Sequence, residues 1–178
     1  LRGVAHSARR FAVMGLCSAA ALLASSKGTQ DAIANGDTRT ISIQHMHTKE
    51  LTTVTFRRDG RYVGEALDKL NYALRDWRND DVIKMDPRLF DIAWEVHREL
   101  GSSSPFHVVS AYRSPGTNAM LRRRSRGVAK HSQHMDGKAM DFFLPDVSSA
   151  QVRAVGMKLQ RGGVGYYPTA NTPFVHLD

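Results

Sequence analysis

Segments with strand-like and helix-like patterns follow one another along this 178-residue chain without a regular βαβ alternation. Residues 39–47 and 51–57 alternate apolar and polar side chains around a polar break, which predicts a β-hairpin. Residues 62–77 place apolar side chains at helical spacing, which predicts an amphipathic helix. This irregular succession predicts an α+β fold, in which helices pack against a small, mostly antiparallel sheet.

The second half of the chain continues the same pattern. Asp86 followed by Pro87 is typical of the start of a helix, and Gly101 is typical of its end. Ser114 followed by Pro115 predicts another helix, which runs towards residue 124. The remaining predicted elements are strands at 106–111, 139–144, 164–167 and 174–178, and a helix at 148–161.

The N-terminus has the features of an export signal. Arg2, Arg9 and Arg10 precede an uncharged apolar run at residues 11–24, and the small-x-small pattern at 32–34 is typical of a cleavage site. The run is too short for a comfortable membrane span, although an uncleaved anchor or a core helix is the alternative. We therefore predict a signal peptide at residues 1–34, a domain at 35–178 without a membrane span, and a periplasmic location. The paired arginines indicate the twin-arginine export route.

Cysteine usage and charge narrow the function classes. Cys17 is the only cysteine and lies in the predicted signal peptide, so the exported domain is expected to have neither a disulfide nor a thiol nucleophile. The net charge of +8 favours an anionic partner, such as a wall polymer, a membrane surface or nucleic acid. Four arginines at 122–126 are either a binding site for wall polymer or a solvated helix end. Because no nucleic-acid motif accompanies them, we predict no nucleic-acid partner.

Three residues have the side chains that a metal centre needs. His134 and Asp141 stand in an H-x6-D spacing, and His176 follows near the end of the chain. Two imidazoles and a carboxylate suit Zn²⁺ and leave a fourth position for water. Each residue alone is more often a structural histidine or a surface carboxylate, so the interpretation depends on the neighbouring motifs.

Those motifs resemble a known family. They are S-A-Y-R-S-P-x-T-N from Ser110, G-V-A-x-x-S-x-H-x-x-G-x-A-x-D from Gly127, G-G-V-G-Y-Y-P, and F-V-H-x-D at the end. In this order they resemble the YcbK-like periplasmic zinc murein peptidases. That family belongs to the wider zinc D,D-peptidase group, which includes the VanX-type dipeptidases and shares its fold with the hedgehog domain. The resemblance covers roughly residues 39–178.

The resemblance implies a function and a set of site residues. It implies zinc on His134, Asp141 and His176, and an arginine, Arg113, that binds a substrate carboxylate or an oxyanion. It implies an endopeptidase that cleaves peptidoglycan stem-peptide cross-links containing D-amino acids and diaminopimelate. A D,D-carboxypeptidase or dipeptidase is the alternative enzyme, and a zinc-containing module that only binds the cell wall is the alternative without catalysis.

The general base is the point at which the sequence departs from better-known relatives. They carry Glu or Asp three residues before the last histidine, where this chain has Pro173. Asp178 shares a predicted strand face with His176 and is the first substitute. His131 is the second, as a proton donor or a partner of a ligand. The sequence gives no indication of the oligomeric state.

Overall fold

The structure is a computed structural model that describes residues 38–125 and 127–178. The predicted signal peptide at 1–34 lies outside the described residues, as does Arg126 of the arginine cluster. Among the helices of the described part, none combines the length and the apolar character needed to cross a membrane.

Seven strands form one sheet in the described part of the chain, in the order β3-β2-β1-β4-β5-β7-β6. Neighbouring strands are antiparallel except for β1 and β4, which are parallel. The strands are β1 (Arg39–His45), β2 (Leu51–Arg58), β3 (Arg61–Tyr62), β4 (Phe106–Ser110), β5 (Met140–Phe143), β6 (Val164–Tyr167) and β7 (Phe174–Leu177).

Four α-helices accompany this sheet in the described residues. They are α1 (Gly64–Ala73), α2 (Pro87–Leu100), α3 (Pro115–Arg124) and α4 (Ser149–Leu159). Helix α1 packs on β2, α2 packs on β1 and on α4, and α4 packs on β6 and β7. The α+β fold with a mostly antiparallel sheet, predicted from the sequence, is therefore confirmed.

The helix ends show where local sequence decided the structure. The Asp86 side chain accepts a hydrogen bond from the backbone N–H of Arg88, and Gly101 ends α2 in the left-handed conformation at φ 62°. Helix α1 is shorter at both ends than the predicted 62–77. It stops at Ala73 because the chain then turns into a loop, in which the Asp76 N–H donates to the Asp81 carbonyl.

The hydrophobic core lies between the sheet and the helices that cover it. The side chains of Phe106 on β4 and Phe142 on β5 meet edge to face, with ring centroids 4.9 Å apart. On α2, Phe90 is fully buried and contacts Phe56 of β2 in a similar geometry. This core fixes the central strands, and the candidate site residues extend from them.

Strand pairing brings distant parts of the sequence together at one end of the sheet. Strand β5 lies between β4 and β7, and Asp141 is directly opposite His176 in the β5–β7 register. The chain that follows β4 carries Arg113. The sheet therefore collects residues 113, 141 and 176 in one place.

Candidate metal and active site

The side chains of His134, Asp141 and His176 converge on one point. Asp141 Oδ1 lies 3.2 Å from His134 Nε2 and 2.8 Å from His176 Nδ1. One ligand atom from each residue lies within 4.8 Å of the others, which is a spacing that one metal ion could bridge. His134 and Asp141 are buried, with 1 % and 8 % of their surface exposed.

His134 is oriented by the backbone of the loop after β4. It lies in a short 3₁₀ helix, Gln133–Asp136, which the sequence did not predict. Its Nδ1 lies 2.6 Å from the carbonyl oxygen of Ala111, so Nδ1–H donates and Nε2 keeps its lone pair for the site. Gly137 ends the 3₁₀ helix at φ 66°, where the chain must turn towards β5.

His176 is oriented by a carboxylate. Its Nε2 lies 3.0 Å from Asp178 Oδ2, and Asp178 Oδ1 accepts a hydrogen bond from the backbone N–H of Gly163. Nε2–H therefore donates to Asp178, and Nδ1 faces the site. A side chain at position 163 would collide with the Asp178 carboxylate, which explains the glycine there.

The donor set fits zinc. Each imidazole presents one nitrogen to the site while its other nitrogen is held by an oxygen acceptor, an arrangement common among zinc-binding histidines. With the carboxylate of Asp141, the three candidate residues offer two nitrogen donors and one oxygen donor. Three protein ligands leave a position for water or substrate, as in catalytic zinc sites.

The charges at the site support the ionised form of Asp141. Burial favours the neutral acid, but the ring nitrogens of His134 and His176 beside it hold the pKa of Asp141 down at about 2. Burial likewise favours neutral His176, yet the adjacent carboxylates of Asp141 and Asp178 raise the pKa of His176 above its usual value, and a metal bound at Nδ1 would replace the proton there. Asp141 is therefore a carboxylate and can act as an anionic ligand for a cation.

Arg113 lies beside this centre. Its backbone N–H donates to the carbonyl of His134 at 3.1 Å, and its Nη2 lies 3.4 Å from Ser132 Oγ. The Nε atom is buried and has no hydrogen-bond partner in the described part of the chain. Burial lowers the pKa of Arg113 and the Asp141 charge raises it, but arginine remains a cation.

A cleft of about 380 Å³ opens over the site. Its walls include Arg113 and both candidate proton carriers, Asp178 and the exposed His131. Tyr167 and Phe174 also line the cleft and stack with ring centroids 4.6 Å apart. Neither ring was predicted as a site residue, although both lie in motifs that carried the resemblance.

Pro173 is exposed next to β7 and offers no group that can move a proton. The structure therefore places the metal-ligand candidates, Arg113, His131 and Asp178 around one cleft. The arginines of α3 differ from them. The side chains of Arg122, Arg123 and Arg124 are exposed at the end of that helix.

Comparison with known proteins identifies the family of the chain. The peptidase M15 family model described as "Peptidoglycan L,D-endopeptidase MepK" matches residues 33–178. The Escherichia coli K12 protein named peptidoglycan L,D-endopeptidase MepK is 43% identical over 141 residues, which cover 79% of this chain and 76% of that protein. The Haemophilus influenzae protein named probable peptidoglycan L,D-endopeptidase MepK is 41% identical over 141 residues, which cover 79% of this chain and 75% of that protein.

A solved structure, the Serratia marcescens L-Ala D-Glu endopeptidase ChiX, is 20% identical and covers 64% of this chain and 87% of that one. Its TM-score of 0.40 is too low to support a conclusion. The chain belongs to the M15 metallopeptidase family of peptidoglycan L,D-endopeptidases, and it is a murein endopeptidase.

Proposed function

We propose that the protein is a zinc-dependent L,D-endopeptidase that cleaves cross-links between peptidoglycan stem peptides. The observation that carries the proposal is the convergence of His134, Asp141 and His176 on one point. The second nitrogen of each imidazole is hydrogen-bonded to an oxygen on the side away from this point. The relatives' names indicate a bond between an L-centre and a D-centre, rather than the D,D bond of the wider group.

The three proposed ligands supply two neutral nitrogens and one negative oxygen. Zinc bound there would lower the pKa of a water molecule to about 7 and polarise the peptide carbonyl. Asp178 holds His176 in the tautomer that keeps Nδ1 free. Ala111 does the same for His134 through its carbonyl oxygen.

Arg113 is proposed to stabilise negative charge on the substrate. Its guanidinium lines the same cleft as the metal-ligand candidates. A cation in a partly buried cleft interacts strongly with an oxyanion or a carboxylate, because little water screens it.

We propose different tasks for the two candidate proton carriers. Asp178 has both oxygens engaged, one with His176 and one with Gly163, so its main task is to orient His176. His131 is exposed on the cleft wall, and we propose that it donates a proton to the leaving amine. This role is tested by the pH profile of kcat. A proton donor makes kcat fall at high pH, so this fall should be absent in His131→Gln.

The decisive experiment uses purified protein and cross-linked muropeptides. Product release should require stoichiometric zinc, stop when a chelator is added, and return when zinc is restored. Cleavage of 3-3 cross-links, which join an L-centre to a D-centre, but not of D,D cross-links would support the proposed bond. Binding to peptidoglycan without product, at any pH between about 5 and 9, would instead favour the wall-binding module.

We further propose that residues 1–34 direct export to the periplasm, where peptidoglycan lies. The positively charged start, the apolar run and the small-x-small pattern support this proposal. N-terminal sequencing of the protein from a periplasmic extract should give a new terminus near residue 35. Replacing Arg9 and Arg10 with lysine should block export if the twin-arginine route is used.

A further inference from the structure

Asp76 is a fully buried carboxylate outside the metal centre, with 0 % of its surface exposed. It lies in the loop that follows α1. Its Oδ2 accepts two hydrogen bonds from Ser114, from the backbone N–H at 3.0 Å and from the hydroxyl at 2.9 Å. Its Oδ1 accepts from the backbone N–H of Arg78 at 3.2 Å.

Ser114 directly follows Arg113, so these bonds fix the chain on one side of the arginine. The Ser114 hydroxyl also caps α3 by accepting from the backbone N–H of Thr117. On the other side of the arginine, the Tyr112 N–H donates to the Leu74 carbonyl at 3.1 Å. The backbone of residues 112–114 is therefore anchored to the loop after α1 at both ends.

The Arg113 N–H donates to His134, which connects the same segment to a proposed metal ligand. A shift of residues 112–114 would move the arginine and loosen its bond to the His134 loop. The hydrogen bond described for the guanidinium itself is a long one, 3.4 Å from Nη2 to Ser132 Oγ. The hydrogen bonds that hold Arg113 in place are therefore mainly those of its own backbone and of its two neighbours, Tyr112 and Ser114.

A buried carboxylate is costly unless hydrogen bonds stabilise its charge. Burial tends to raise the pKa of Asp76, but hydrogen bonds from Thr117 and Ser114 bring it below the usual value. An ionised acceptor makes stronger hydrogen bonds than a neutral one. Anchoring by Asp76 is consequently stiffer than a neutral side chain would provide.

We propose that Asp76 is a positioning residue of the active site, which acts by holding the backbone of Arg113 through Ser114. This inference rests on the role proposed for Arg113. Asp76 does not touch the cleft, and its effect on catalysis passes through the arginine.

The first test compares Asp76→Asn with Asp80→Asn in the zinc-loaded protein. Asp80 lies in the same loop but pairs with Arg75, so it is a matched control. Asp76→Asn should lower kcat by about 10–100-fold, because a small misplacement of a charged group is enough for a loss of that size. Zinc content should stay stoichiometric, and Asp80→Asn should change kcat less than about 2-fold.

Hydrogen exchange gives a readout independent of activity. Asp76→Asn should speed the exchange of the Arg113 and Ser114 amides by at least about 10-fold, in line with the loss of a charge-assisted bond. The amides of β5 and β7 should be unchanged. If the amides of residues 113 and 114 exchanged at the same rate in Asp76→Asn and in Asp80→Asn, the proposal would be overturned.

A double-mutant cycle with Arg113→Ala shows whether the effect passes through the arginine. In that background Asp76→Asn should cost less than about 2-fold further in kcat. Full additivity would overturn the proposal while leaving the role of Arg113 intact. If Arg113→Ala alone kept full activity, the role proposed for the arginine would be wrong, and the inference would fail with it.

Ser114→Ala is the second variant, for the case in which Asp76→Asn does not fold. It removes the hydroxyl, with its bonds to Asp76, the Thr117 N–H and the Asn79 side chain, and leaves the Asp76 carboxylate and its bond to the Ser114 N–H in place. It should lower kcat by a smaller factor of about 3–10, the size expected for losing the one hydroxyl bond that links Ser114 to Asp76. This loss should also vanish in the Arg113→Ala background, and additivity would overturn the proposal here too.

Discussion

The Nε2 atom of His176 lies 3.0 Å from Asp178 Oδ2, so the carboxylate two residues further along the chain holds this histidine in place. Asp178, which the sequence offered as a substitute base, is thus hydrogen-bonded to the side of His176 that faces away from the proposed metal. Carboxylates in this position fix the ring orientation and raise the basicity of the ligand.

Asp178→Asn should weaken zinc binding or activity by about 10–100-fold, the usual cost of losing such a partner. The asparagine keeps the shape but removes the charge that stabilises His176. Zinc affinity is measured by competition with a chromogenic chelator, and kcat is measured at saturating zinc. Asp68→Asn, an exposed carboxylate on α1, is the control. Unchanged affinity and kcat would show that Asp178 does not support the histidine.

His134→Ala should abolish stoichiometric zinc binding. His134 is the most buried of the three proposed ligands, and the alanine leaves Asp141 and His176 alone at the site. Activity should fall by more than about 100-fold, which is the upper end of the loss seen when a residue that only orients a metal ligand is replaced. Metal content by mass spectrometry is the measurement, with His97→Ala on α2 as the matched histidine variant. Full zinc occupancy in His134→Ala would refute the assigned ligand set.

Arg113→Ala should lower kcat by about 100–1000-fold if the guanidinium stabilises an oxyanion, as for other lost donors of this kind. Arg113→Lys should recover only part of this loss, because an ammonium cannot reproduce the guanidinium fork. Steady-state kinetics on cross-linked muropeptides give the values, and Arg122→Ala at the exposed end of α3 serves as the control. A change in KM alone would assign the arginine to binding of a substrate carboxylate.

Gly137→Ala should destabilise the fold by about 1–3 kcal/mol, the usual cost of a left-handed residue other than glycine. The new Cβ would also lie 3.0 Å from the Lys84 carbonyl oxygen, which is closer than normal contact. Zinc affinity should fall as well, because Gly137 ends the 3₁₀ helix that carries His134. Gly116→Ala is the control, since a Cβ there meets nothing within 4 Å. Denaturant unfolding supplies both free energies.

Buried His45 should make the apo protein less stable in mild acid. Burial, followed by the nearby charges of His47 and Arg75, lowers the pKa of His45 from 6.5 to about 4. Between these values the unfolded chain binds the proton and the folded chain does not, so stability falls as pH decreases from about 6.5 to about 4. The loss attributable to His45 approaches about 3 kcal/mol at the lower end.

Urea unfolding at several pH values, with a chelator present, measures this slope without a contribution from metal binding. In His45→Gln the slope should flatten between pH 4 and 6.5, whatever the absolute stability of that variant. His131→Gln, which changes an exposed histidine, should keep the slope of the wild-type chain. An equal slope in His45→Gln would mean that His45 does not set the acid sensitivity.

Local signals in the sequence were sufficient for most elements. Asp86, Pro87 and Gly101 predicted the ends of α2, because caps depend on neighbouring residues. The apolar stripe at 62–77 predicted a longer helix than α1, because periodicity continues through Trp77 although the chain has turned. The 3₁₀ helix at His134 was missed, since four residues carry too little periodicity.

The sequence by itself determined the class of fold, the family and the residue types of the candidate metal site, because these depend on local patterns and ordered motifs. It did not determine how the pieces meet. The pairing of β5 with β7 places Asp141 beside His176, and Asp76 reaches Ser114 across 38 residues of chain. The second oxygen of Asp178 reaches Gly163 in the same way. Such contacts are decided by packing of the whole sheet, because hydrogen-bond partners distant in sequence leave no periodic signal in either segment.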